Sequence, residues 1–397
     1  MTAAVAESGF PPYQPRAAHV LARVKAAKAD ALLVTHPPHL RYLAGFDGTA
    51  GVLLIADGGC TLIVDGRYVT AAAALAETRP AGALQVFHAD GTFEDGIAAV
   101  LGGLPAVRTL AVEAEWTSLA SFARLNAALE NPAVGGPGRV VLLSLEDIVA
   151  RSRLVKDASE IAVLRAAARL LSSVARAALD LVRPGRTEHE VAADIDAAVR
   201  RAGFERPAFD TIVASGPNSA LPHARPGARR IEPADGVVLD FGGVYGGYCV
   251  DLTRTVQVPP LTARFGTLFD AVREAQAAAI ARIRPGTPGS EVDAAAREVL
   301  ARHGMAEAFL HGTGHGLGLE VHEGPRIGRL RPDRTDELLQ PGMVFTVEPG
   351  VYVPGVGGVR LEDDVLVTEE GCEVLTDVPI DRRGGRAAAG SPFLAGE

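Results

Sequence analysis

The chain has 397 residues, 48% hydrophobic and 22% charged, with a formal net charge of −9. That size suggests two or three globular domains, and the acidic balance argues against nucleic acid or an anionic membrane as partner, since phosphate binding wants a basic face. Three distant cysteines, Cys60, Cys249 and Cys372, show neither zinc spacing nor a disulfide framework, so a reducing cytoplasm is expected, with no secretory leader and no membrane span legible.

From the N-terminus, ALLV (31–34), GVLLIA (51–56) and TLIVD (61–65) read as short strands bounded by Pro, Gly and Asp. Tyr68 to Ala76 is alanine-rich and reads as helix, and TLAVEA (109–114) as a further strand. The stretch NPAVGGPG (131–138) is rich in turn residues and looks like a boundary. A long helix is expected from about Ala158 to Val182, capped by Asp157 with Glu160 in a capping box and stopped at Arg183-Pro184-Gly185. These elements predict residues 1–150 as a smaller α/β domain, 151–385 as a second domain and 386–397 as a flexible tail.

The second half repeats itself. LVRPGRTEHEV (181–191) matches RIRPGTPGSEV (282–292), and each copy leads into an alanine-rich helix ending near a glycine, Gly203 or Gly304. DGVVLDFGG (235–243) then parallels PGMVFTVEPG (341–350), with Asp240 and Glu348 in corresponding places. Two related αβ halves meeting on a pseudo-two-fold axis would follow, with both acidic strands facing the crevice.

In VVLDFGGVYGGYCVDLTRTV (237–256), a turn on Tyr245-Gly246 would set Asp240 directly opposite Asp251, about 5 Å apart. Two such charges persist only around a proton or a cation. In GGVRLEDDVLV (357–367), Arg360 and Glu362 are two apart and would share one face of a strand, with Asp363 pointing away. Cys249 falls on the face of Asp251, where a small packing role suits it better than a ligand role. Arg360 suits a structural partner of Glu362 or Asp364 as well as a pocket residue.

The segment HGTGHGLGLEVHE (311–323) holds three of the chain's ten histidines among four glycines. A phosphate loop is excluded because Leu317 breaks the G-x-G-x-x-G register, and incidental surface histidines are the plain alternative. Four carboxylates (Asp240, Asp251, Glu348, Glu362) with one imidazole from this segment make a ligand set for two divalent cations. Oxygen donors favour Mn²⁺, with Co²⁺, Fe²⁺ or Zn²⁺ by availability.

These residues resemble the pita-bread metallopeptidases: methionine aminopeptidase, aminopeptidase P, prolidase and the metal-free creatinase. The resemblance runs through GTGHGLG, VEPG and GGVRLED, and implies an α+β fold. It expects a C-terminal pita-bread domain of two pseudo-symmetric αβ halves behind a creatinase-type N-terminal α/β domain. It implies Asp251, His315, Glu348 and Glu362 around one metal and Asp240, Asp251 and Glu362 around the other. ASGPNSALPHARP (214–226) is similar to the proline-specific branch's loop with a catalytic histidine, here His223, and EVHEGP (320–325) to that carrying the second, His322. His311 and Arg360 match pocket-lining, substrate-binding positions. RYLAGFDGTAG (41–51) and VDGRY (64–68) are similar to the N-terminal domain that methionine aminopeptidases usually lack.

The implied activity is exopeptidase cleavage of small peptides with proline second, by a hydroxide between the metals, with Glu348 moving the proton and His223 and His322 stabilising the carbonyl. A homodimer is implied by family analogy alone. Strict dipeptidase and aminopeptidase P remain alternatives, as do another hydrolase or lyase reaction on the same scaffold and an inactive metal-stabilised binding protein.

Overall fold

The computed structural model describes residues 12–383 apart from positions 135, 139, 333 and 334. The expected flexible tail at 386–397 lies outside the described residues, as do the first eleven residues of the N-terminal stretch where no leader is expected. The chain divides into two compact units, one ending at Arg153 and the other beginning at Leu154. Among the described residues no helix is long and apolar enough to cross a membrane.

The N-terminal unit runs α1 (Tyr13–Ala26), β1 (Ala31–Val34), α2 (Pro37–Ala44), β2 (Val52–Ala56), β3 (Gly59–Val64), α3 (Val69–Glu77), β4 (Leu84–His88), α4 (Phe93–Gly102), β5 (Thr109–Glu113), α5 (Leu119–Glu130) and β6 (Val141–Leu145). Its six strands form one sheet in the order β4-β3-β2-β1-β5-β6. Strands β1 to β3 are antiparallel neighbours, while β3–β4, β1–β5 and β5–β6 pair in parallel. Leu33, Leu54, Ile63, Leu110 and Val112 are buried against Ile97, Leu101 and Leu125 from α4 and α5. The turn-rich stretch 131–138 is therefore not a junction between domains: β6 follows it and completes this sheet.

The second unit opens with α6 (Ala158–Leu179), whose start carries the capping box of Asp157 and Glu160. Then come α7 (Glu188–Arg201), β7 (Arg206–Pro207), β8 (Ile212–Ser215), β9 (Gly236–Tyr245), β10 (Tyr248–Gln257), α8 (Ala263–Arg282), α9 (Gly289–Arg302), β11 (Gly314–Gly316), β12 (Glu323–Ile327), β13 (Val344–Val347), β14 (Gly350–Val353), β15 (Gly357–Arg360), β16 (Asp363–Val367) and β17 (Cys372–Val374). The repeated Arg-Pro-Gly segments make equivalent contacts. Gly185 and Gly286 both have positive φ, +88° and +82°. Their N–H groups donate to the carbonyls of Ile231 and Leu339 at 2.8 and 2.7 Å.

The first hairpin corrects the expected register. Tyr245 pairs with Tyr248, so Gly246 and Gly247 are the two turn residues. Their φ values, +57° and +80°, are the pair that a type I′ hairpin turn requires and that tyrosine resists. Asp240 consequently faces Thr253, and Asp251 faces Gly242. The slip is two residues, so Asp240 and Asp251 keep one face but stand diagonal instead of opposite.

The second hairpin departs further from expectation. Arg360 ends β15, which pairs with β14, and Asp363 begins β16, which pairs with β13. Leu361 and Glu362 lie between strands, so Arg360 and Glu362 do not share one continuous strand. Pro349 interrupts the opposite arm because it has no N–H to continue the ladder.

Replacing Gly247 by Val, a β-branched residue at φ +80°, should cost about 1–3 kcal/mol. Gly246→Asn, which the same turn accepts, should stay within about 0.5 kcal/mol. Urea unfolding of both variants makes the comparison, and equal midpoints would remove the turn as the device that sets the register.

Candidate metal centre

The glycines of the histidine segment have a steric reason. A Cβ on Gly314 would sit 1.8 Å from the Thr346 carbonyl oxygen, and one on Gly316 would sit 1.9 Å from that of Gly324. Only glycine lets β11 lie so close to its neighbours, and His315 projects from between the two. The segment is pinned from α9. Asp293, buried, accepts from the Thr313 N–H at 3.0 Å and its hydroxyl at 2.8 Å, while Arg297 donates to the His311 carbonyl at 2.5 Å.

Asp251, His315 and Glu362 converge: one ligand atom from each lies within 4.8 Å of the others. Glu348 joins them through His315 Nε2, 3.2 Å from its Oε1, and the Thr346 hydroxyl donates to the same oxygen at 3.0 Å. Asp240 is buried and ion-paired to Arg360 Nη2. Thr253, opposite Asp240, donates its hydroxyl to Glu362 Oε2 at 2.6 Å. All five expected ligand positions therefore fall in one region of the second unit.

The electrostatics are those of an acid cluster without enough counter-charge. Burial, then the charges of Glu362 and Asp240, pushes the Asp251 carboxyl well above the usual range. Glu362 is raised likewise, by burial and then by Glu348 and Asp240. Burial also works to raise Glu348, but the His315 hydrogen bond and the charges of His315, His311 and Arg360 outweigh it and bring the carboxyl down to about 2. His315 moves the opposite way: burial opposes its charge, and Glu348 overrides burial and raises it. Asp240 Oδ1, Asp251 Oδ1 and Glu362 Oε1 are buried and accept no hydrogen bond. Orphaned carboxylate oxygens beside a ring nitrogen suit divalent cations, so the residues present fit a metal.

The remaining expected residues flank this cluster. The His322 ring lies 4.2 Å from that of His315, edge to face. His311 Nδ1 stands 2.8 Å from the Gly312 carbonyl oxygen, and its Nε2 2.8 Å from the Tyr352 hydroxyl. Burial lowers both His311 and His322, and His223 lies near enough to add to both shifts. His223 is exposed, next to Pro222, whose carbonyl accepts from Arg360 Nη1 at 3.1 Å. Arg360 thus partners Asp240 in place of the expected Glu362 or Asp364. Cys249 is buried, its N–H donating to the Gly318 carbonyl at 2.7 Å.

Sequence reasoning missed Thr253, Thr346 and Tyr352. Thr253 had a signal, since D-L-T places it on the face of Asp251. Tyr352 had none, because its contacts with Arg360 and His311 depend on how the second hairpin bends. Its hydroxyl, pushed up to about 12 chiefly by burial, accepts from Arg360 Nη1 at 2.8 Å.

Two abutting αβ halves around a buried acid cluster define a pita-bread metallopeptidase. Residues 162–369 match Metallopeptidase family M24, and residues 16–155 match the Creatinase/Prolidase N-terminal domain. The chain belongs to metallopeptidase family M24. The Xaa-Pro dipeptidase from Bacillus anthracis is 36% identical with a TM-score of 0.86, covering 93% of this chain and 99% of that one. The X-Pro aminopeptidase from Thermotoga maritima MSB8 is 35% identical with a TM-score of 0.80, over 91% of this chain and 99% of its own. An Xaa-Pro dipeptidase of Pyrococcus furiosus is 41% identical over 232 residues, 58% of this chain and 66% of that protein.

Carboxyls raised by burial keep their protons above the ordinary carboxylate range, so ligands of this kind must lose protons when a cation arrives. Mn²⁺ added to the metal-free chain should therefore release protons, and its affinity should rise with pH. Calorimetry in buffers of different ionisation enthalpy reads the proton count, and a count of zero at mildly acidic pH would contradict the shifts of Asp251 and Glu362.

Proposed function

We propose that the chain is a dinuclear metal-dependent exopeptidase that hydrolyses the Xaa-Pro bond at the N-terminus of dipeptides or short peptides. The observation that carries this reading is the convergence of Asp251, His315 and Glu362, with orphaned oxygens on Asp240, Asp251 and Glu362. Asp251, His315, Glu348 and Glu362 would hold one ion, and Asp240, Asp251 and Glu362 the other. When bound, the ions acidify water and polarise a carbonyl. Mn²⁺ suits the predominance of oxygen donors. A homodimer rests on family analogy, and a cytoplasmic location on the pattern of cysteine use.

The chain's own residues then divide the work. Glu348, an acid already favouring its ionised form, takes a proton from the attacking water and passes it to the leaving nitrogen. That nitrogen is tertiary before proline and becomes basic only as the amide breaks. His322, lowered by burial and by His315, is neutral near pH 7 and donates one ring N–H to the scissile carbonyl. His223 approaches from the exposed loop and supports the same oxygen. His311, tied to Tyr352, shapes the pocket wall.

The similar proteins include both an Xaa-Pro dipeptidase and an X-Pro aminopeptidase, so the permitted peptide length is the point to test. The Mn²⁺-loaded chain should hydrolyse an Xaa-Pro dipeptide, and a longer Xaa-Pro peptide compared with it ranks the two activities. Failure on both would overturn the reading. His223→Ala should lower turnover by about 10²-fold or more while elemental analysis finds the metal content unchanged; equal turnover would remove His223 from the mechanism.

A further inference from the structure

Glu188 is the first residue of α7 and is wholly buried. The helix does not need it for capping, because Thr187 and Glu190 already form the capping box. Its carboxylate is instead spent on a single segment. Oε1 accepts from the Ser215 N–H at 2.7 Å, the Ser215 hydroxyl at 2.7 Å and the Asn218 amide at 3.0 Å. Oε2 accepts from the same amide at 3.1 Å and from the Gly227 N–H at 3.0 Å. Ser215 and Gly227 are the two ends of the loop that carries His223.

We propose that Glu188 is a positioning residue whose buried carboxylate clamps both ends of the 215–227 loop and so fixes His223 over the metal centre. The role of His223 rests on the function proposed above. Burying an acid is costly, and a neutral side chain would leave the helix intact. Charge-assisted bonds are about twice as strong as neutral ones, and a helix N-terminus favours the negative charge. Between the clamped ends the loop closes on itself: Leu221 N–H donates to the Asn218 carbonyl at 3.0 Å and Ala224 N–H to that of Leu221 at 3.2 Å. Its apex meets Arg360 at the Pro222 carbonyl, and Arg360 in turn holds Asp240. The internal repeat supplies an independent comparison. Thr187 bridges to Arg230 as Pro288 bridges to Leu338, which sets Glu188 level with Gly289. The second copy thus lacks the acid, and the turn it holds, through Ser290 and Asp336, carries no candidate histidine.

The test uses Glu188→Gln in the full Mn²⁺-loaded chain, read in two ways. Hydrogen exchange of residues 215–227 should speed up by about tenfold or more while β9 and β10 stay as protected as before. Turnover should fall by about tenfold or more at nearly unchanged KM and metal content, and in a His223→Ala background the same change should add little further loss. Unchanged exchange in the loop, a uniform speed-up through the sheet, or losses that multiply in the double variant would each overturn the proposal. Should Glu188→Gln not fold, Asn218→Ala removes two of the contacts and is read the same way. A silent His223→Ala, by contrast, would sink the assignment of His223 and leave the exchange comparison to decide the clamp.

Discussion

The acid cluster of the second unit turns on the repulsion of buried carboxylates. Asp251, Glu362 and Asp364 are each at most 5% exposed, and each has an oxygen with no hydrogen-bond donor. Stripping water from such groups costs several kcal/mol per ion, and breaking a buried pair leaves that cost uncompensated. Among the described residues, counter-charge meets these acids at the edge: Arg360 on Asp240, Arg254 on Asp363, and His315 on Glu348. The hydroxyl of Thr253 is a neutral donor to Glu362. Positive charge is therefore short where these acids meet, and the family's metal dependence agrees with that deficit.

The two hairpins solve the same problem by different means. The first is a continuous ladder from Gly236 to Gln257 that presents two aspartates on one face. The second breaks on both arms, at Pro349 and at Leu361-Glu362, and the break redirects its backbone. Glu362 N–H donates to the Thr253 carbonyl at 3.1 Å, and Arg254 donates to the Glu362 carbonyl. Glu362 has therefore left its own hairpin and joined the other half at the seam. An unbroken second hairpin would spend that N–H within its own ladder.

This difference explains what could be read before the fold was known. The repeat, the glycine-rich segment and the acids that meet in the cluster were legible because each sits in a short motif whose own pattern marks it. The facing of Asp240 and Asp251 was legible too, because a strand's alternation survives a slip of two. The pairing itself was not, since Tyr245-Gly246 and Gly246-Gly247 both leave the aspartates on one face, and only the positive φ of both turn residues separates them. The break after Arg360 carries no signal of its own in GGVRLEDD. Glu188 reaches Ser215 and Gly227, and Tyr352 reaches His311, through packing within each half and the bend of the second hairpin, not through local pattern.

Arg360 shows why these parts cannot be treated singly. Its Nε donates to the Thr253 hydroxyl at 3.2 Å, its Nη1 to Tyr352 and to the Pro222 carbonyl, and its Nη2 to Asp240. One planar fork thus spans the acid cluster, the hydroxyl beside His311 and the loop that bears His223. A lysine at this place would offer a point charge and could not hold these directions together. The charge that restrains Asp240 belongs to the same side chain that meets the loop at the Pro222 carbonyl, so Arg360 ties the acid cluster to the loop whose ends Glu188 holds.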